Sequence, residues 1–191
     1  MILDAPADPD APDPLWVFGY GSLMWHPNIA YTEAVPARVQ GYHRALCVRA
    51  WRLRGSPERP GLVVGLDRGG ACRGWAFRVP PEARAETIAH LHERELKTGI
   101  YRPHWLAARL DDGRAMRLYG FVVRRHHPQY AGSLDTEEAA RLVCQGRGSA
   151  GTSLAYLANT VAHLNDLGIP HAALRAVLDR ASALCPGNLA A

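Results

Sequence analysis

The sequence predicts an α+β fold: a mixed or antiparallel sheet, or a small β-barrel, with helices packed against it. Three observations carry this. The order of elements runs strands, one embedded helix, further strands, then three helices. No repeating βαβ unit or internal repeat occurs. The 191 residues, 48% hydrophobic and 21% charged, suit one soluble domain with a substantial core. The expected layout is a tail over residues 1–14 and a single domain over residues 15–185.

Residues 1–14 are mostly Asp, Ala and Pro and can bury little, so a mobile tail is expected. Leu15 to Phe18 reads as a strand that runs into Gly19-Tyr20-Gly21-Ser22-Leu23. Glycines at alternate positions let another group approach the main chain, and exposed N–H groups there can cradle an anion. A tight turn beside a buried strand has the same pattern. Met24 to Ala34 reads as irregular, and Ala37 to Ala50 as one or two strands with a bulge at Gly41. Residues 54–60 form a loop by composition. Gly61 to Leu66 and Cys72 to Val79 read as two strands joined by a hairpin turn at Arg68-Gly69-Gly70, with Trp75, Phe77 and Val79 sharing one face.

Pro80-Pro81-Glu82 starts a helix expected to reach Lys97. At about 100° per residue, Ile88 and Leu91 share a face and Glu95 falls within about 20° of Ile88. Glu86 and Glu93 fall on the opposite side. Glu95 therefore lies on the core-facing stripe in the last turn, where burial and the helix dipole both raise a carboxylate's pKa. Such a group can serve as a base near neutrality. A rim glutamate, or one paired with a nearby arginine, fits the same spacing.

Tyr101 to Leu110 and Arg114 to Arg124 form a hairpin around Asp111-Asp112-Gly113. Residues 126–130 are a loop. Asp135 to Cys144 is a helix, with Asp135 and Glu138 at the spacing of a capping box. Residues 146–151 break the chain. Thr152 to Leu167 is an amphipathic helix with Gly168 as its left-handed cap, and Ala172 to Leu184 a last helix ended by Pro186.

Several chemistries fall away. The net charge of +4 is spread over scattered arginines, with Lys97 the only lysine, so no nucleic-acid stripe forms. A small anionic substrate suits this charge as well. Gly19-x-Gly21 lacks the third glycine of a dinucleotide site, and no Gly-Lys-Ser marks a phosphate loop. Ser22 is not in a nucleophile elbow. His90 and His92 cannot share a helix face, and the remaining histidines form no metal motif. Cys47, Cys72, Cys144 and Cys185 have no CxxC spacing; with no signal peptide or membrane span visible, a cytoplasmic protein with reduced thiols is expected.

Val17-Phe18-Gly19-Tyr20-Gly21-Ser22-Leu23 resembles the signature of the gamma-glutamylcyclotransferases, and of their ChaC-like, glutathione-specific branch in particular. The similarity continues through Arg59-Pro60-Gly61-Leu62-Val63, Arg73-Gly74-Trp75-Ala76-Phe77-Arg78, and the segment Arg94-Glu95 to Ile100-Tyr101. Tyr130-Ala131-Gly132 and Gly151-Thr152-Ser153-Leu154 extend it. The resemblance implies a gamma-glutamylcyclotransferase-like fold. It also implies a lyase-type intramolecular transfer on glutathione, giving 5-oxoproline and cysteinylglycine, with no metal or cofactor. By the same resemblance Val17, Phe18, Gly19, Tyr20, Gly21, Ser22 and Leu23 would bind the gamma-glutamyl group and Glu95 would accept the proton. Tyr20 and Tyr130 could act as hydrogen-bonding walls or simply as packing. The alternatives are a non-catalytic module that keeps the pocket and the same ring closure on another gamma-glutamyl amine or dipeptide. The oligomeric state is not legible.

Overall fold

In a computed structural model of the chain, residues 13–186 are described. Most of the expected tail lies outside them. The first strand, β1 (Trp16–Gly19), is buried along its whole length. It is followed by β2 (Glu33–Ala50), β3 (Gly61–Arg78), helix α1 (Arg84–Glu95), β4 (Tyr101–Leu110) and β5 (Ala115–Val123). The five strands close into a barrel in the order β1-β3-β2-β4-β5. The pairs β1/β3, β2/β4 and β4/β5 are antiparallel. The barrel closes through a parallel bridge between Val17 and Tyr119. The sheet is thus a mixed, closed barrel, within the mixed or antiparallel sheet or small barrel that the element order predicted.

One expectation about the strands fails. Arg68-Gly69-Gly70 is not a hairpin turn, because β3 runs unbroken for 18 residues. Gly69 and Gly70 both take positive φ, at 109° and 66°. Residues in that region can reverse a chain or merely bend it, and here they bend it, as at a bulge. Gly41 in β2 also has positive φ, at 79°. His43 Nδ1 lies 3.0 Å from the Gly69 carbonyl, so the two bends are tied together.

The chain divides into two compact units. The first contains residues up to 43 and 66–124; the second contains 44–65 and 125 onward. In the first, α1 lies over the barrel. Leu91 packs with Leu15, Val17, Leu23, Val79, Tyr119 and Phe121, with Ile88 and Leu96 at the edge. Burying Leu91 completely contributes about 1.5–3 kcal/mol. Phe18 points to the opposite face of β1, where a Cβ on Gly74 would come within 2.8 Å of its ring.

In the second unit α2 (Thr136–Gln145), α3 (Ser153–Asp166) and α4 (Ala172–Leu184) pack together. Asp135 caps α2 by accepting from the Glu138 N–H at 2.7 Å, as its spacing predicted. Thr152 does the same for α3, and Gly168 follows it with φ of 67°. Between α2 and α3 the expected break is a small ladder of β6 (Arg147–Gly148) and β7 (Gly151–Thr152). Ser153 Oγ accepts from Leu62 N–H at 2.9 Å and donates to Leu62 C=O at 2.7 Å, fixing α3 to β3. The reduced-thiol expectation fails for half of the cysteines. Cys144 and Cys185 are joined by a disulfide, since the ends of α2 and α4 bring their Cα atoms to 5.9 Å. Cys47 and Cys72 are free and buried.

Candidate active site

The glycine loop begins where β1 ends, because the chain folds back at once into a 3-10 turn over Ser22–Met24. Met24 N–H donates to Gly21 C=O at 2.9 Å, and His26 N–H donates to Ser22 C=O at 2.7 Å. Neither loop glycine takes positive φ. Gly19 is required instead by proximity: a Cβ there would lie 3.1–3.2 Å from Leu23 and the Met24 nitrogen. Gly21 sits at φ −130°, ψ −133°, ahead of the turn. The glycines thus serve to pack a turn directly against a strand end.

The predicted binding residues separate by depth. The side chains of Val17 and Phe18 are wholly buried, and Leu23 belongs to the apolar cluster beneath α1. Tyr20 is also buried, its ring 6.3 Å from that of Phe18. What these residues can offer a small molecule is mainly backbone. Ser22 is the loop member whose hydroxyl is engaged by a charged group.

Helix α1 ends at Glu95, two residues before the expected Lys97, and Leu96 N–H closes it by donating to His92 C=O at 2.9 Å. The wheel argument holds. Thr87 and Leu91, eight and four residues before Glu95, are buried, whereas Glu86 and Glu93 are exposed. The Glu95 side chain is 18% exposed. Burial pushes its carboxyl above the ordinary range, and the Arg94 guanidinium opposes that rise.

Arg94 also supplies the geometry. Its Nε lies 3.2 Å from Glu95 Oε1. One terminal nitrogen donates to Ser22 Oγ at 2.8 Å, and the other to His26 C=O at 2.9 Å. The loop and the carboxylate therefore share one guanidinium. The sequence left open a glutamate paired with a nearby arginine; Arg94 is that arginine, and its bonds to the loop were not foreseen. Sequence reasoning also missed His92, which shares a 2.6 Å hydrogen bond with buried Tyr119 of β5 and so fixes the rotation of α1. Burial pushes the Tyr119 phenol up to about 12.

Tyr130 belongs to the second unit. It bridges Val48 of β2, its carbonyl accepts from Arg49 at 3.1 Å, and Gln129 and Ala131 bond the same strand on either side. Among the described residues, no three His, Cys, Asp or Glu side chains are grouped to hold a metal ion, and no helix is long and apolar enough to cross a membrane.

A five-stranded mixed barrel with a sequestered glutamate beside a glycine loop is the gamma-glutamylcyclotransferase-like architecture expected from the sequence. The chain belongs to the ChaC-like protein family, whose model matches residues 15–181. It is 37% identical to the glutathione-specific gamma-glutamylcyclotransferase of Escherichia coli, over 82% of this chain and 68% of that one. It is 32% identical to glutathione-specific gamma-glutamylcyclotransferase 1 of Homo sapiens, over 80% of this chain and 70% of that one. In fold it matches the crystal structure of a yeast gamma-glutamyl cyclotransferase specific to glutathione. That match has a TM-score of 0.81 at 21% identity and covers 90% of this chain and 96% of the other.

Proposed function

We propose that this chain is a glutathione-specific gamma-glutamylcyclotransferase, a lyase that degrades glutathione to 5-oxoproline and cysteinylglycine. The observation that carries the reading is the shared guanidinium, which holds Ser22 of the loop and the Glu95 carboxylate within reach of one small molecule. The named relatives support the substrate class.

The reaction needs the substrate's α-amine to attack its own γ-carbonyl. That amine is largely protonated at neutral pH, with a pKa of about 8. Glu95 would take its proton and free the lone pair, and the new C–N bond closes the five-membered ring. The amide bond to cysteine then breaks, the proton held on Glu95 goes to the departing amine, and the attacking nitrogen sheds its second proton through the freed carboxylate, leaving a neutral lactam and a cysteinylglycine ammonium. A carboxylate raised by burial suits both steps, being a better proton acceptor than an exposed one. The backbone N–H groups over residues 19–23 would hold the substrate α-carboxylate, with Tyr20 as a wall. Folding the glutamyl chain into its ring-closing pose is a positioning problem worth several kcal/mol. No cofactor enters these steps. In this proposal residues 15–185 act as one catalytic domain in the cytoplasm.

The test is incubation of the pure protein with glutathione and detection of 5-oxoproline by chromatography. Glu95→Gln is expected to lower kcat by about 10²–10⁴. Activity of Glu95→Gln close to wild type would remove the assigned base. Comparing glutathione with gamma-glutamyl-alanine and gamma-glutamyl-lysine tests the specificity: release of 5-oxoproline from all three at similar kcat/KM would contradict it.

A further inference from the structure

A basic side chain in the last turn of a helix ordinarily turns back toward its own terminal carbonyls. Arg94 does otherwise. All three of its guanidinium nitrogens are engaged: one by the Glu95 carboxylate, one by the Ser22 hydroxyl and one by the His26 carbonyl. Two of these partners lie more than 65 residues away in sequence, the separations being 72 and 68. Its side chain is 23% exposed, so the contacts are screened far less than those of a surface pair. Only arginine offers such a planar fork; lysine presents a single ammonium on a flexible stem.

We propose that Arg94 is a positioning residue, locking the Glu95 carboxylate and the glycine loop into one rigid body so that the proton acceptor and the holder of the glutamyl group keep a fixed separation. The proposal rests on the reading of Glu95 and the loop given above. Arg94 engages Oε1 of Glu95, which assigns the substrate proton to Oε2. Its second effect is electrostatic. Burial raises the Glu95 carboxyl above its ordinary range, and the neighbouring cation opposes that rise.

The other titratable groups around this end of α1 are His92 and Tyr119, bonded to each other, Tyr101 at the head of β4, and His26, whose carbonyl holds Arg94. Lys97 pairs with Glu93 at 3.5 Å on the exposed side. Among these, Arg94 is the cation whose charge acts on Glu95.

Initial rates of 5-oxoproline release from glutathione, measured from about pH 5 to about pH 9, test this in wild type, Arg94→Met, Arg94→Lys and Ser22→Ala. Arg94→Met should lose about 10- to 100-fold in kcat/KM and move the acid limb of its pH profile to higher pH. Arg94→Lys keeps the charge but loses the fork, so KM should rise while the acid limb stays near its wild-type position. Ser22→Ala removes the loop contact alone and should raise KM with the acid limb unmoved.

Active wild type together with an Arg94→Met variant of unchanged kcat/KM and unmoved limb overturns the inference and leaves the proposed function standing. Loss of rate in all variants in step with lowered Tm, with no shift of any limb, overturns it equally. Should Arg94→Met not fold, unchanged KM in both remaining variants overturns it. A wild type without turnover overturns both readings.

Discussion

Glu95 is held in a form that costs the folded protein stability. Its carboxyl pKa lies above the unfolded value, because burial outweighs the pull of Arg94. The folded state therefore binds a proton more tightly than the unfolded chain does. Any stability this brings is fully present below the unfolded carboxylate range and is lost as pH rises through the folded pKa. Glu95→Gln, which cannot ionise, should then be more stable than wild type at pH 7, by about 1 kcal/mol or a few degrees in Tm. The difference should vanish in melts near pH 4. An equal gain at both pH values would assign the effect to packing instead. Sequence alone brought this residue to the core stripe, because α1 has a regular period and one carboxylate on its apolar side. An arginine partner was among the readings the spacing allowed, but the hold of Arg94 on the loop was hidden, since Ser22 and His26 lie far off in sequence and local periodicity carries no information about them.

At the scale of elements, the strand and helix order was readable and the bends within strands were not. Two adjacent glycines at 69 and 70 satisfy a turn and a bulge equally well; which one forms depends on what the strand can pair with next. Here β3 continues past the glycines to reach β1, pairing Trp75 with Gly19 and Arg78 with Trp16. That register sets Gly74 against Phe18 and the Gly19 carbonyl, which a Cβ would approach to 2.8 and 2.2 Å. Backbone cannot yield as a side-chain tip can. Gly74→Ala should therefore cost about 1–3 kcal/mol by overpacking, seen as a lower urea midpoint. It should also lower glutathione turnover, since the carbonyl it pushes belongs to the residue that opens the loop. A stable variant with full activity would contradict the close packing of β1 on β3. The helices were easier to read. Asp135, Thr152 and Gly168 cap through contacts within three or four residues, a range that sequence does encode.

For the whole molecule, the mixed barrel and the ChaC-like family follow from the sequence, and the covalent link does not. Cys144 and Cys185 lie 41 residues apart with no motif spacing, and only the packing of α2 on α4 brings them together. Thiol titration of the denatured, unreduced protein should find the two free cysteines, and four after reduction. Reduction should lower stability by about 2–4 kcal/mol, measured as the shift of the urea midpoint. Four thiols without reductant would contradict the bridge. The interleaving of the two units has a consequence for how the protein is made. Neither unit is a continuous stretch of chain, since β2 and β3 each give residues to both. A ribosome that has released residues 13–65 has completed nothing, and the barrel with its glycine loop and Glu95 can close only once β5 has emerged. Residues 44–65 must then wait, tethered at both ends, for the three C-terminal helices. Gene fragments cut at residue 65 or 125 should therefore yield insoluble halves rather than separable modules, because each leaves residues 44–65 without the helices of their own unit.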